Sequence, residues 1–306
     1  MQTTDTVFMV RPALFARNAE TARSNAFQQA DVRLDRRRIQ TQAQEGFDRY
    51  AAALTAAGVR VWVFDDRVEN ETPDSLFPNN WITLHADGRV ILYPMEALNR
   101  RRERNPALIA QLARHFALKE IIDLSHHELA GHYLEGTGSL VFDHVNRIAY
   151  VCRSSRSTPT AMRDLQSRLP YRVIWFDAYD RQGNRIYHTN VMMSVGIKYA
   201  VVCLAAIADG RQRLALEAAL RDSGKIIMPI SLQQVASFCG NILELRGQDN
   251  RPVIALSEQA WSAFDEQQRA MLSDYAAIVR APIEIIERLG GGGARCMIAE
   301  IFCPPR

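Results

Sequence analysis

Apolar positions along this chain switch repeatedly between a helical and an extended period. Ile39, Ala43, Phe47, Tyr50, Ala51 and Leu54 recur at the spacing of one helical stripe. Gly58 ends that stripe, and residues 59–64 follow as a strand. The same step recurs four times. Helices over 108–116, 160–169, 211–222 and 258–277 lead to strands at 121–122, 171–176, 226–228 and 283–286. The strands begin near 59, 120, 172, 225 and 283, at intervals of 61, 52, 53 and 58 residues. A near-constant interval marks an internal repeat.

Hairpin patterns fill the spaces between these steps. Residues 81–84 and 90–93 flank Ala86-Asp87-Gly88, and 139–142 face 147–151 across 143–146. Residues 191–195 face 199–204 across Gly196-Ile197-Lys198, and 242–245 face 252–256. The run 297–302 has no following strand of its own. It is expected to pair with 7–10, closing a ring of five hairpin-helix-strand modules without exposed edges. The expectation is therefore an α/β fold with fivefold pseudosymmetry. No linker or break in composition divides it, so residues 1–306 read as one domain.

Composition narrows the function classes. A hydrophobic share of 47% and a charged share of 23% suit a soluble globular protein. The net charge of +3, from 37 basic and 34 acidic residues, argues against a nucleic-acid partner. Arg36-Arg37-Arg38 and Arg100-Arg101-Arg102 read as solvated helix faces. No apolar run reaches the roughly 18 residues of a membrane span, and no secretory signal is visible. Cys152, Cys203, Cys239, Cys296 and Cys303 are scattered, with no CxxC pair. The expectation is a reduced, cytoplasmic protein with no membrane partner, disulfide framework or zinc site.

Candidate chemistry lies just before the first strand of each hairpin. The segments are Asn79-Asn80, Glu135-Gly136-Thr137-Gly138, His188-Thr189-Asn190, Gly240-Asn241 and Cys296. In a closed ring they converge on the axis, bringing together a thiol, an imidazole and a carboxylate, the set needed for nucleophilic catalysis. Gly290 to Gly293 permit positive φ and close ligand approach before Cys296, and the neighbouring Arg295 favours thiolate. His127 and His132 flank a zincin-like run, but they are five residues apart. A helix would not put both on one face, so the run reads as a loop.

These segments resemble the guanidino-group-modifying superfamily of arginine deiminases, dimethylarginine dimethylaminohydrolases, succinylarginine dihydrolases and amidinotransferases. Gly291-Gly292-Gly293-Ala294-Arg295-Cys296-Met297 is similar to the nucleophile segment, and His188-Thr189-Asn190-Val191 to the histidine segment. Leu134-Glu135-Gly136-Thr137-Gly138 is similar to the family's Glu-Gly-Gly-Asp stretch, with Thr137 and Ser139 as departures. The resemblance implies a five-bladed α/β propeller (pentein) with Cys296, His188 and Glu135 as catalytic residues and no metal or organic cofactor. Pro73-Asp74-Ser75-Leu76-Phe77-Pro78-Asn79-Asn80 is similar to a dimethylargininase stretch, and the run from Ala97 to Glu103 to its arginine-bearing loop. By resemblance Arg156 holds a substrate α-carboxylate, with Arg100 or Arg101 as weaker candidates. Asp74 accepts a substrate N–H.

Departures point to the substrate. Arginine deiminases present aspartates where this chain has Asn80 and Asn190. A carboxylate only accepts hydrogen bonds and suits a guanidinium, whereas an amide also donates and suits a neutral ureido group. With Asn79 and Asn241 also in the axial series, the resemblance is closest to the citrulline-utilisation hydrolases. It implies citrulline as substrate and ornithine, carbon dioxide and ammonia as products. Arginine deimination, arginine dihydrolysis and dimethylarginine hydrolysis are the alternatives, followed by non-catalytic binding of an arginine-like ligand. A homo-oligomer stays open.

Overall fold

The computed structural model describes residues 1–29 and 35–306. In chain order the strands are β1 (Thr6–Arg11), β2 (Arg60–Asp65), β3 (Ile82–Leu84), β4 (Arg89–Leu92) and β5 (Glu120–Asp123). They continue as β6 (Leu140–Asp143), β7 (Ile148–Cys152), β8 (Arg172–Phe176), β9 (Met193–Val195) and β10 (Tyr199–Val202). The last are β11 (Ile226–Pro229), β12 (Leu243–Arg246), β13 (Pro252–Ser257), β14 (Ala277–Ala281) and β15 (Ala299–Glu300). Among the described residues they form five sheets of three strands each.

Four sheets share one construction. An antiparallel hairpin is followed by helix, and the chain returns to add a third strand parallel to the hairpin's second, as in β3-β4-β5 and β6-β7-β8. The fifth sheet uses both ends of the sequence. β15 runs antiparallel to β1 with Val7 opposite Glu300 and Phe8 opposite Ala299, and β1 runs parallel to β2. This is the pairing expected for 297–302 with 7–10.

Strand composition explains the layering. The middle strands β7 and β10 are buried at every residue and read as continuous apolar runs, because both their faces are covered. The third strands β2, β5 and β11 are largely exposed or half-buried, as edges carrying helix on one face. Helix Arg36–Ala56 follows β1 and buries Phe47, Tyr50 and Leu54 completely. Burying a side chain such as Phe47 or Leu54 contributes about 1.5–3 kcal/mol. Its start is fixed by Asp35, whose side chain accepts from the Arg38 N–H. Asn105, Asp209 and Ser257 cap later helices in the same way.

The first strands of different sheets also touch. β6 meets β9, β9 meets β12, and β15 meets β3. The Gln2 amide Nε2 donates to Phe142 O in β6 at 2.9 Å and to Val195 O in β9 at 3.2 Å.

Two expectations need correction. Residues 283–286 are not a strand: β14 is Ala277–Ala281, and Ile283 is the N-cap of helix Glu284–Gly290. Ile283, Ile286 and Leu289 lie three apart and are all buried, which is a helical stripe. The predicted helix 258–277 is two helices, Glu258–Ala263 and Glu266–Tyr275. The second is restarted by a capping box between Asp265 and Gln268. With β14 placed correctly, the third strands begin at 60, 120, 172, 226 and 277, at intervals of 60, 52, 54 and 51. The repeat is thus more regular late in the chain than the sequence suggested. The His127 run is a 3₁₀ turn, Ser125–Ala130, ended by Gly131 at φ +70°. No described helix is long and apolar enough to cross a membrane.

Candidate active site

Four of the five first strands are entered through a short helical turn. These turns are Pro78–Asn80 before β3, Gly136–Ser139 before β6, Thr189–Val191 before β9 and Ala294–Met297 before β15. Gly240-Asn241 occupies the same place before β12. Side-chain hydrogen bonds link these segments. Asn79 Nδ2 donates to Thr137 Oγ1 at 3.1 Å, and Arg295 Nη1 to Thr137 O at 3.1 Å. Asn241 Nδ2 donates to Asn190 O at 2.9 Å, while its Oδ1 accepts from Arg295 N at 3.1 Å.

Cys296, His188 and Glu135 are all buried. Asn241 Nδ2 lies 3.2 Å and Asn190 Nδ2 3.4 Å from the Cys296 sulfur, so two amides donate to it. Burial pushes the thiol up, against the lowering effects of Asn241, the Arg295 charge and Asn190. Arg295 favours the thiolate as expected, but desolvation outweighs it. His188 Nε2 lies 2.9 Å from Glu135 Oε2. With Nε2–H donating to the carboxylate, Nδ1 carries the free lone pair. Burial brings the His188 pKa down to about 4, against the pull of Glu135. Burial also opposes ionisation of Glu135, but the Arg156 charge, His188 and Arg100 outweigh it and hold its carboxyl well below the usual range. Near neutral pH the ligand-free site therefore pairs a neutral thiol with a neutral imidazole oriented by a charged carboxylate.

The predicted arginines take different positions. Arg156 is buried, with Nη1 3.4 Å from Glu135 Oε2, Nη2 2.8 Å from Ser24 Oγ and Nε 3.3 Å from Glu96 Oε2. Its guanidinium lies over the Tyr187 ring at 5.0 Å. Arg100 is also buried, which corrects its reading as part of a solvated face. It forks onto Glu103 with two 2.9 Å bonds and donates to Asn80 Oδ1 at 2.7 Å. Arg101 turns away to Met95 O at 3.0 Å and to Glu128 at 3.4 Å.

Among the described residues, several polar atoms of this group have no partner. They are Asp74 Oδ1, Asn79 Oδ1, Asn80 Nδ2 and Asn190 Oδ1. Each such buried atom costs about 1–3 kcal/mol, so together they leave hydrogen-bonding capacity that a polar ligand would take up. Asn80 is the most informative. Arg100 engages its oxygen, so its free end is the NH₂ donor. Gly138 makes this arrangement possible: a Cβ there would lie 2.5 Å from Asn80 Nδ2 and 2.6 Å from His188 Nδ1.

Sequence reasoning missed the segment over residues 12–29. Asn18 Nδ2 donates to Asp74 Oδ2 at 2.7 Å, and Thr21 O and Ser24 Oγ accept from Arg156. Asn25 and Gln28 donate to Gly290 O. Phe27 packs its ring 5.9 Å from that of Tyr187 and 5.4 Å from that of Phe238. The segment is polar, lacks a period and is held by side chain to backbone bonds, so no hydrophobic pattern announces it.

The sequence matches the model of a family described as N,N dimethylarginine dimethylhydrolase, eukaryotic, over residues 11–303. No curated protein is matched. Among solved structures, the fold is similar to the N-terminal domain of ArgZ, an arginine dihydrolase of the ornithine-ammonia cycle in cyanobacteria, bound to substrate. That likeness has 16% identity and a TM-score of 0.75 and covers 98% of both chains. Against a longer ArgZ chain the match covers 98% of this chain and 41% of that one. A complex of AgrE with L-arginine aligns at 15% identity and TM-score 0.76, over 98% and 40% of the two chains. A dimethylarginine dimethylaminohydrolase adduct with S-methyl-L-thiocitrulline aligns at 14% identity and TM-score 0.65, over 98% and 100%.

Proposed function

The chain belongs to the N,N dimethylarginine dimethylhydrolase family, and on that premise we propose that it hydrolyses the ureido group of citrulline, giving ornithine, carbon dioxide and ammonia. It is a hydrolase of the guanidino-modifying class, acting on C–N bonds. One observation carries the choice of substrate. Around the nucleophile the donors are amides, and Asn80 leaves its NH₂ free beside Gly138 and His188 because Arg100 engages its oxygen. A free donor meets the carbonyl of a ureido group and opposes a guanidinium, which has only N–H groups to offer.

In this reading Cys296 is the nucleophile, and its proton passes to His188 as citrulline binds. Sulfur attacks the ureido carbon. The C–N bond to ornithine breaks, and His188 returns the proton to the leaving amine. Water then attacks the S-carbamoyl group as His188 takes its proton. The C–S bond breaks, sulfur is reprotonated, and the released carbamate splits into carbon dioxide and ammonia. Glu135 orients His188 and stabilises its cation. Asp74 Oδ1 and Asn190 Oδ1 accept substrate N–H groups, and Asn79 and Asn241 hold the surrounding turns. Arg156 anchors the α-carboxylate when Thr21 and Ser24 give way, and Arg100 positions Asn80. Arg101, the weaker carboxylate candidate, keeps its ties to Met95 and Glu128. We read the touching first strands as a closed five-bladed propeller, a single domain over 1–306. The reading needs no cofactor or nucleic-acid or membrane partner, fits a cytoplasmic enzyme, and leaves a homo-oligomer open.

A second reading, arginine dihydrolysis, draws on the likeness to ArgZ, an arginine dihydrolase, and to AgrE, solved with L-arginine. Incubation with citrulline and arginine in parallel, with ornithine, citrulline and ammonia quantified, separates the two. Turnover of arginine without turnover of citrulline sinks the first reading. Cys296→Ser should abolish turnover with the fold intact, and appreciable residual activity removes Cys296 as nucleophile.

A further inference from the structure

A second cluster of chemistry-bearing side chains lies away from Cys296. His126 and His127 sit on the turn Ser125–Ala130, and Asp164 sits on helix Pro159–Arg168. Their donor atoms all lie within 4.8 Å of one another. Both histidines aim Nε2 at the same oxygen, Asp164 Oδ2, from 3.4 Å for His126 and 3.0 Å for His127. A tetrahedral ion with bonds of about 2.0–2.1 Å holds its ligands roughly 3.3 Å apart, which these separations match.

The hydrogen bonds around the cluster support the same conclusion. His126 Nδ1 lies 3.2 Å from Asp123 O, so Nδ1–H donates to that carbonyl. With Nδ1–H committed to that carbonyl, Nε2 and Asp164 Oδ2 face each other as two acceptors that a shared cation, a metal ion or a proton, satisfies. A ligating histidine commonly has its other nitrogen fixed by a backbone carbonyl in this way. Asp164 is prepared too: Arg168 Nε binds its other oxygen, Oδ1, at 2.9 Å and leaves Oδ2 to the imidazoles. The His126 side chain is 56% exposed, so solvent can complete the coordination.

We infer that His126, His127 and Asp164 form a binding site for a divalent transition-metal ion of the zinc class. Two imidazoles and one carboxylate favour zinc over magnesium or calcium, which prefer all-oxygen shells. The ion would clip the turn that precedes Leu134-Glu135 to the helix that follows Arg156. Those two stretches already meet where Thr158 N donates to Tyr133 O at 2.8 Å. The spacing of His127 and His132 did not disclose such a site, because its third ligand comes from another part of the chain.

The test is calorimetric titration of zinc chloride into the untagged full chain carrying Cys296→Ala, so that zinc held by that thiol is not counted. One ion per chain is expected. His126→Ala and Asp164→Asn, each in that background, should weaken binding by at least about tenfold. Melting temperature without zinc reports whether each variant folds, and two variants on separate elements guard against failure of one. Absence of zinc uptake, or uptake unchanged by both substitutions, overturns the proposal.

Discussion

Replacing Glu135 by Gln keeps its shape and removes one negative charge from a buried group of cations. The carboxylate has His188 at 2.9 Å, Arg156 at 3.4 Å and Arg100 at 3.9 Å. Unit charges about 4 Å apart interact by about 4 kcal/mol at an effective dielectric of about 20. Loss of that interaction lowers the proton affinity of His188 by about three pKa units and costs up to about 10³ in kcat. Removing one partner from a buried ion group costs about 3–5 kcal/mol of stability. Arg156 keeps Glu96 and Arg100 keeps Glu103, which puts this case at the low end. The assay is ornithine release from citrulline across about pH 5 to 9, alongside thermal melting. If imidazolium protonates the leaving amine, kcat falls as pH rises through the His188 pKa of the complex. The substitution should therefore move that descending limb to lower pH. A folded Glu135→Gln protein with parental kcat, or with the limb unmoved, refutes the role given to this carboxylate.

Gly138→Ala places a methyl group against Asn80 and His188; overpacking of this kind costs about 1–3 kcal/mol. Turnover should collapse while the protein still folds, read as kcat against melting temperature. Glu287 tests a different kind of burial, which pushes its carboxyl up to about 8. Between its ordinary unfolded value near 4.5 and about 8 the unfolded chain releases the proton while the folded chain keeps it. Stability therefore falls as pH rises through that window, by at most about 1.4 kcal/mol per pH unit. Glu287→Gln should flatten this slope, so its advantage in melting temperature should grow from pH 5 to pH 8.

Hairpin segments and helix stripes were legible because period 2 and period 3.6 are strong local signals. The misplaced last strand shows where they fail. Ile278 and Val279 continue the helical spacing of Leu272, so the hydrophobic pattern fits either element, and tertiary pairing of β14 with β13 decides. For the candidate site, the repeat singled out Cys296, His188, Glu135 and the asparagines because they hold equivalent positions before the first strands. It did not reveal that Arg100 is buried, since that follows from Glu103 and Asn80 arriving on either side of it. Nor could it find Thr21 and Ser24, whose contacts with Arg156 span more than 130 residues of sequence.

The sheet that joins β15 to β1 sets the order in which the molecule can assemble. Thr4 Oγ1 bonds Ile301 O across 297 residues, whereas the other four sheets are each built from one contiguous stretch. Closing a loop of that length costs about 3 kcal/mol more chain entropy than closing a ten-residue hairpin. Contacts so distant in sequence form late in folding. Cys296 lies three residues before β15, so the proposed nucleophile is seated by the slowest closure. Four modules can therefore be native while the chain is still inert, and recovery of activity on refolding should lag behind recovery of secondary structure.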